Sequence, residues 1–188
     1  MPETAYGPPA SKNNLSRERG ISVMNFVSLD VDHDLPGVTS QMLDWWWDHM
    51  DGENYKLWHP TAHVSMDWEV PPPAGSRYGG IHLAREYIGQ ELASLRIRRV
   101  PEDQAPIQLK YKNAIVSTGL APDNSVMMWI IHSYEDTPRG AQLHTTFLLP
   151  QGIPQAFVDA LRQHNIEEMA QIPKFLPDLY RRSTGAAT

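Results

Sequence analysis

The sequence PQAFVDALRQHNIEEMAQ, at residues 154–171, predicts a long helix late in the chain. Pro154 suits the first turn of a helix, where its missing N–H is not needed. At about 100° per residue, Phe157, Leu161 and Ile172 fall on one stripe of the helix surface. This apolar stripe predicts that one side of the helix packs against the rest of the protein.

Several extended segments with turn residues between them precede this helix. Another helix, from about Ser40 to Met50, comes before them and can be capped by Thr39 or Ser40. Short gaps between the last three extended segments predict antiparallel neighbours. This order indicates an α+β fold in which a curved sheet wraps around the long helix and encloses a cavity. The predicted extended segments are 56–68, 80–88, 92–100, 107–118, 126–135 and 141–149, and a further short helix is predicted at 175–182.

Composition restricts the domain organisation and the partners. A chain of 188 residues with ordinary hydrophobic content suits a single domain, which we place at residues 21–188. Residues 1–20 are rich in Pro, Ser, Asn and charge, so we expect a flexible N-terminal arm there. The net charge of −6 without a long basic run argues against a nucleic-acid partner. Neither a signal peptide nor a membrane-spanning apolar run is recognisable, so we expect a cytoplasmic protein.

The apolar stripe of the long helix carries two polar side chains, His164 and Glu168, four residues apart. A buried carboxylate needs a positive partner, and this stripe has no Lys or Arg. Because the chain has no cysteine, any transition-metal site must use His and carboxylate ligands. A metal ion would satisfy both residues, and a hydrogen-bonded His–Glu pair without a metal is the alternative.

Two more histidines lie four residues apart in the segment YKLWHPTAH. His59 and His63 would point to one metal ion if both were on a helix, but Pro60 between them favours an extended backbone at His59. The HExxH pattern of helical zinc proteases is also missing. We therefore expect one of the two histidines to be a ligand and the other to be structural.

A carboxylate in the segment IHLAREYI is another candidate ligand. With a period of two residues, His82, Ala84, Glu86 and Ile88 share one face of the predicted strand. Glu86 is either an inward-pointing carboxylate or a surface charge paired with Arg85 or a neighbouring strand. The residues alone leave this choice open.

His132 and His144 lie in the last two predicted strands. Either could be a buried proton-transfer group near a metal, because histidine titrates close to neutral pH. Either could equally be a core or rim residue.

Three consecutive tryptophans, Trp45 to Trp47, cannot all face one side of the predicted first helix. Ordinary core packing with one exposed ring is the simplest interpretation. A partner chain, as in a homodimer, is another surface that could cover the third ring.

The chain resembles the diacetylphloroglucinol hydrolase and phloretin hydrolase family in four motifs. The motifs are MLDWWW at 42–47, YKLWHPTAH at 55–63, REYIG at 85–89, and the helical pair His164 and Glu168. Together they cover most of the chain from about residue 38 to residue 169.

The resemblance implies a helix-grip, Bet v 1-like fold with one zinc ion per chain bound by two histidines and two glutamates. The implied ligands are His63, Glu86, His164 and Glu168. Glu91 is the alternative to Glu86.

The resemblance also implies roles in substrate handling. Tyr55 stands eight residues before His63, where a substrate-binding tyrosine is expected, and His132 stands where a proton-handling histidine is expected. Met66 stands where the family has an asparagine, which removes one hydrogen-bond partner for a ring hydroxyl.

The implied reaction is hydrolysis of a carbon–carbon bond between an acyl group and a phenolic ring, which gives a phenol and a carboxylic acid. The substrate would be a small aromatic or polyketide-like compound. Two other functions stay open, because one fold hosts many activities. They are a metal-dependent aldolase, cyclase or lactone hydrolase on a polyketide-like substrate, and a non-enzymatic carrier of an apolar ligand.

Overall fold

The computed structural model describes residues 25–185, and the predicted N-terminal arm at residues 1–20 lies outside them. Within the described residues, one antiparallel sheet has the strand order β1-β7-β6-β5-β4-β3-β2. The strands are β1 (Phe26–Pro36), β2 (His63–Val70), β3 (Ile81–Ile88), β4 (Glu91–Val100), β5 (Asn113–Leu120), β6 (Val126–Thr137) and β7 (Gly140–Pro150), and the helices are α1 (Ser40–His49), α2 (Tyr55–Trp58), α3 (Gln155–Met169) and α4 (Ile172–Thr184).

The sheet curves around the long helix α3. This helix packs both against β1, at one edge of the sheet, and against β3, next to the other edge. A flat sheet could not contact one helix with strands near both of its edges. The sheet is therefore curved, and its concave face encloses α3. Leu161 is buried there in a core cluster with Leu29, Phe147 and Leu149. The predicted α+β arrangement is confirmed.

The first helix and α4 close one end of the fold. Thr39 caps α1, since its hydroxyl accepts a hydrogen bond from the Met42 N–H. The three tryptophans of α1 point in three directions. Trp46 is fully buried, with its ring centroid 5.0 Å from that of Phe175 in α4. Trp45 stacks on His49 and meets Tyr180 of α4, and Trp47 faces the cavity described below.

Strand β1 was not predicted, although its sequence FVSLDVDHDLP alternates apolar and polar residues. Leu29, Val31 and Leu35 are buried, while the aspartates between them face outward. The strand pairs with β7 along its whole length, from Phe26 opposite Pro150 to Pro36 opposite Gly140. β1 therefore supplies one wall of the groove that holds α3.

Two predicted extended segments begin too early. Residues 55–58 form the short helix α2, because the Asp51 carboxylate accepts hydrogen bonds from the N–H groups of Glu53 and Asn54 and starts a turn. The chain becomes extended only after Pro60, and β2 starts at His63. The segment predicted from residue 107 pairs with no neighbouring strand before Asn113, where β5 begins. No helix within residues 25–185 is long and apolar enough to cross a membrane.

Candidate metal centre and its cavity

Four buried side chains from three elements meet beneath α3. His63 begins β2 directly opposite Glu86 in β3, and His164 and Glu168 lie one turn apart on α3. The two histidine Nε2 atoms are 3.3 Å apart. The Nε2 atom of His63 lies 3.5 Å from one carboxylate oxygen of Glu86 and 3.5 Å from one of Glu168. The corresponding distances from His164 Nε2 are 3.9 Å and 3.7 Å.

Backbone carbonyls fix the orientation of both histidine rings. His63 Nδ1 lies 2.9 Å from the Tyr55 carbonyl oxygen, and His164 Nδ1 lies 3.0 Å from the Tyr87 carbonyl oxygen. A carbonyl oxygen can only accept, so each Nδ1 carries the proton and donates it. In a neutral ring the Nε2 atom then presents its lone pair to the cluster. This is the arrangement in which histidines ligate metals.

The cluster is therefore a set of acceptors that face one another. Two Nε2 lone pairs and two carboxylates repel each other unless a metal ion lies between them or a histidine is protonated. Zinc bonds of about 2.0–2.2 Å would put tetrahedral ligand atoms roughly 3.3–3.6 Å apart, close to the spacing found here. His63, Glu86 and His164 each offer a ligand atom, and these atoms lie within 4.8 Å of one another. The residues fit a metal ion, and Glu168 can complete the set.

The electrostatics of the cluster also favour positive charge. Burial alone would lower the pKa of His63, but Glu168 and Glu86 outweigh it and raise the pKa above its ordinary value. Burial alone would raise the pKa of Glu168, but the hydrogen bond from His63 and the charges of His164 and His63 lower it. The charged form of Glu168 is thus stabilised by the positive charge of the neighbouring histidines.

Further side chains hold the two carboxylates in place. Asn165 donates from Nδ2 to Glu168 Oε1 at 2.8 Å, and its own Oδ1 lies 2.9 Å from Nε2 of His33 in β1. The other oxygen of Glu168 is the one that approaches the histidines. The Tyr55 hydroxyl donates to Glu86, and its ring stacks on His63 with centroids 4.0 Å apart. Burial, together with the nearby Glu86 charge, raises the pKa of Tyr55, so its hydroxyl stays protonated.

The neighbouring candidates lie outside the cluster. His59 is buried beside it, with its ring stacked on His164 and its Nε2 atom 3.2 Å from Glu167. Glu167 is half exposed on the flank of α3. Glu91 is exposed at the start of β4. The structure thus brings His63 and Glu86 into the cluster and leaves His59 and Glu91 out of it.

An apolar cavity opens beside the cluster, between the sheet and α3. Glu86, His164 and Glu168 lie at its wall together with Tyr55. Most of the remaining lining is aliphatic or aromatic, as is usual for pockets that bind small organic molecules. This apolar lining includes Trp47, Leu95, Ile97, Ile130, Phe147 and Leu161.

His132 projects into this cavity from strand β6. Its ring stacks on Trp47, with centroids 5.3 Å apart and planes within 4° of parallel, and its Nδ1 atom lies 2.9 Å from the Thr145 hydroxyl. Burial lowers the pKa of His132 to about 4, although the Glu168 charge acts in the opposite direction. The ring is consequently neutral near pH 7.

His144 and Met66 do not face this cavity. His144 lies on β7 beside two aspartates of β1, with its Nδ1 atom 2.7 Å from Asp32 and its Nε2 atom 3.2 Å from Asp30. Met66 is buried and lines a neighbouring pocket.

The sequence interpretation missed two residues that support the cluster. Asn165 lies three residues before Glu168, and this helical spacing could have identified it. His33 is 132 positions from Asn165 and lies on the unpredicted strand β1, so no local pattern indicates the contact.

A sheet curved around a helix, with a buried His/Glu cluster at the wall of an apolar cavity, defines a helix-grip protein with a candidate metal centre. The family model described as "DAPG hydrolase PhiG domain" matches residues 10–161, and the chain belongs to this family. The match ends before His164 and Glu168, so the assignment of these two residues as candidate ligands rests on their geometry and not on the family model. The family resemblance of the sequence is confirmed.

Two relatives have informative names. A 2,4-diacetylphloroglucinol hydrolase of Pseudomonas protegens is 26% identical over an alignment of 193 positions, which covers 78% of this chain and 61% of the relative. A phloretin hydrolase of Eubacterium ramulus is 27% identical over an alignment of 179 positions, which covers 78% of this chain and 64% of the relative. The chain therefore spans less than two thirds of the length of these relatives.

Solved structures confirm the helix-grip, Bet v 1-like fold. Ara h 8.0201 superimposes with a TM-score of 0.58 at 11% identity, over 81% of this chain and 99% of the other. The ZhuI aromatase/cyclase from Streptomyces sp. R1128 gives a TM-score of 0.53 at 11% identity, over 87% of this chain and 98% of the other. At such low identity the likeness extends to the fold alone.

Proposed function

We propose that the protein is a zinc-dependent hydrolase that cleaves the carbon–carbon bond between an acyl group and a phenolic ring. The observation that carries the proposal is the set of four mutually facing acceptors at the wall of an apolar cavity that also holds a neutral histidine. Membership of the family, and relatives named as hydrolases of 2,4-diacetylphloroglucinol and phloretin, support this choice of substrate class.

His63, Glu86, His164 and Glu168 would hold the ion. When bound, zinc would supply a Lewis acid that polarises the acyl carbonyl and lowers the pKa of a water molecule. Hydrogen bonds from Tyr55 and Asn165 and to two backbone carbonyls orient the four side chains toward one another.

The reaction needs one proton to move from water to the ring. Water adds to the acyl carbon, the bond from this carbon to the ring breaks, and the electron pair stays on the ring carbon, which must then gain a proton. Neutral His132 can accept the proton from water and deliver it to the ring carbon. Its pKa of about 4 makes the protonated ring more acidic than an ordinary imidazolium, which favours proton delivery to the ring carbon. The contact with Thr145 holds the ring in one orientation.

Tyr55 would bind a phenolic hydroxyl of the substrate. Its hydroxyl hydrogen is committed to Glu86, so the lone pairs of its oxygen are left to accept a hydrogen bond. Trp47 and Trp58 lie on the cavity wall and would cover the faces of the phenolic ring. The small, largely apolar cavity keeps bulk water away from the reacting atoms.

A panel of acylphenols tests the proposal. The metal-loaded protein is incubated with monoacyl and diacyl phloroglucinols and with dihydrochalcones, and the products are quantified. We expect a phenol and a carboxylic acid in equal amounts. If no acylphenol is cleaved while a metal-dependent reaction on another polyketide-like compound is found, the proposed reaction is wrong. Binding without any turnover would instead indicate a carrier.

A further inference from the structure

A second polar region lies in the cavity, away from the candidate ligands. His82 shares the concave face of β3 with Ala84 and Glu86, and it lies four residues from Glu86. At roughly 3.3 Å per residue, the Cα atoms of His82 and Glu86 are about 13 Å apart along the strand. Ser117 projects from β5 into the same cavity.

His82 and Ser117 mark a junction between two pockets. Both residues line the cavity of the candidate metal centre, and both also line the pocket next to it, which contains Arg77 and Arg99. Neither side chain makes a hydrogen bond to another residue within 25–185. Ser117 is only 7% exposed, and its hydroxyl has no hydrogen-bond partner within residues 25–185 and is accessible from the cavity. Such groups usually have a partner, and one that faces a cavity can find it in a ligand.

The two arginines at the junction already have a carboxylate partner. Arg99 lies directly opposite Ser117 in the sheet, and it donates to Asp48 at 2.6 Å and to the Trp47 carbonyl oxygen at 2.7 Å. Arg77 also donates to the same Asp48 oxygen. An anionic ligand group would have to compete with Asp48 for these arginines. The groups left without partners are the ring nitrogens of His82 and the hydroxyl of Ser117.

The ring of His82 is neutral near pH 7. Burial lowers the pKa of His82 to about 4, and the positive charge of Arg99 contributes to the same shift. A neutral imidazole has one donor and one acceptor nitrogen, and a serine hydroxyl both donates and accepts. The ligand group that matches this pattern is an uncharged hydroxyl, which also donates and accepts.

We propose that His82 and Ser117 bind a hydroxyl group at the remote end of an elongated acylphenol whose acyl group lies at the metal centre. The inference rests on the proposed function for the class of ligand. It predicts that the protein favours a substrate whose acyl arm ends in a hydroxylated ring over one that ends in a bare ring.

The test uses two ligands that cannot be hydrolysed. They are 1,3-diarylpropanes in which a methylene group replaces the acyl carbonyl, and they differ only in one hydroxyl on the ring remote from the trihydroxyphenyl group. Isothermal titration calorimetry on the metal-loaded protein gives the dissociation constant of each ligand. We expect the remote hydroxyl to tighten binding by about 10-fold in the wild type, the effect of one hydrogen bond.

The variants His82→Leu and Ser117→Ala should each reduce this 10-fold gain, and the double variant should abolish it. Ser133→Ala is the matched control, since Ser133 is buried in the adjacent strand outside the cavity, and it should keep the gain. If the double variant does not fold, the two single variants decide. No gain in the wild type, or an undiminished gain in the variants, overturns the proposal.

Turnover separates this proposal from the proposed function. If the hydroxyl effect on binding is found but the corresponding dihydrochalcones are not cleaved, the subsite stands and the proposed reaction fails. If both dihydrochalcones are cleaved equally well and the two diarylpropanes bind equally well, the reaction stands and the subsite is wrong.

Discussion

The two polar regions of the cavity differ in how their side chains are held. At the candidate metal centre every candidate ligand has a supporting partner, such as Asn165 for Glu168 and a backbone carbonyl for each histidine. At the junction, His82 and Ser117 have no hydrogen-bond partner among residues 25–185. A reaction centre benefits from rigid, preorganised groups, whereas a recognition site can leave groups free for the ligand. The difference supports the proposal that the reaction takes place at the first region and that the second region selects the substrate.

The largest expected effect comes from removing one ligand at the preorganised region. Glu168→Gln keeps the size of the side chain but removes a charge that faces both histidines. We expect the protein to lose most of its bound metal and its acylphenol cleavage to fall by at least about 100-fold. Metal content by elemental analysis and initial rates measure this.

Glu167→Gln is the matched control, because Glu167 is the adjacent residue and is half exposed outside the cluster. It should retain metal and activity. Equal metal content in the two variants would contradict the assignment of Glu168 as a ligand.

The next effect separates chemistry from metal binding within the same region. His132→Ala should lower kcat by on the order of 10²-fold, because it removes the group that moves the proton to the ring carbon. Metal content should stay at the wild-type level, since His132 is not part of the ligand cluster. His144→Ala, on a strand position outside the cavity, should leave kcat unchanged. A His132→Ala enzyme with normal kcat would show that another group handles the proton.

A smaller effect is expected from removing the hydrogen bonds that hold Glu168 in place. Asn165→Leu removes the hydrogen bond to Glu168 and should weaken metal affinity by about 10- to 100-fold, measured by competition with a chromogenic chelator. His33→Leu should act in the same direction through Asn165, whereas His33→Gln can still donate to Asn165 and should restore the affinity. Unchanged affinity in both Leu variants would mean that the network does not position Glu168.

The parts of the fold that could be predicted are those that have a local pattern. The stripe on α3 and the cap of α1 depend on residues a few positions apart, so both helices were predicted within two residues of their ends. β1 was missed because its aspartates resemble a polar loop, and its pairing with β7 is made by residues more than 100 positions away. Residues 56–58 were misassigned because a side chain before the segment, that of Asp51, starts the helix.

The candidate site divides in the same way. His164 and Glu168 could be identified from the helix periodicity alone. His63 and Glu86 meet only through the pairing of β2 with β3. The local sequence therefore does not decide between His59 and His63, or whether Glu86 points inward. The family resemblance was needed to select His63 and Glu86 as ligands. The contact of His33 with Asn165 and the free groups at the junction depend on tertiary packing, which no spacing in the sequence indicates.

The smallest effect concerns the junction and its neutral histidine. The pKa of His82 is about 4, below its ordinary value of 6.5, so the unfolded chain binds a proton more readily than the folded protein. The contribution of His82 to the free energy of unfolding is fully present above pH 6.5, where the ring is neutral in both states. It is lost as the pH falls from 6.5 towards 4, because the unfolded chain then takes up a proton that the folded protein does not.

Urea unfolding of the wild type and of His82→Gln at about pH 7 and about pH 5 measures this contribution. We expect the free energy of unfolding to fall more in the wild type than in the variant. An equal fall in both proteins would show that His82 does not lose its proton affinity on folding.

The central claim is that the four facing acceptors hold a metal ion that the reaction requires. Elemental analysis of protein purified without added metal, combined with acylphenol cleavage before and after chelation, tests this most directly. We expect about one equivalent of zinc per chain, loss of cleavage on chelation, and recovery when zinc is returned. Protein without bound metal that retains full cleavage after chelation would contradict it.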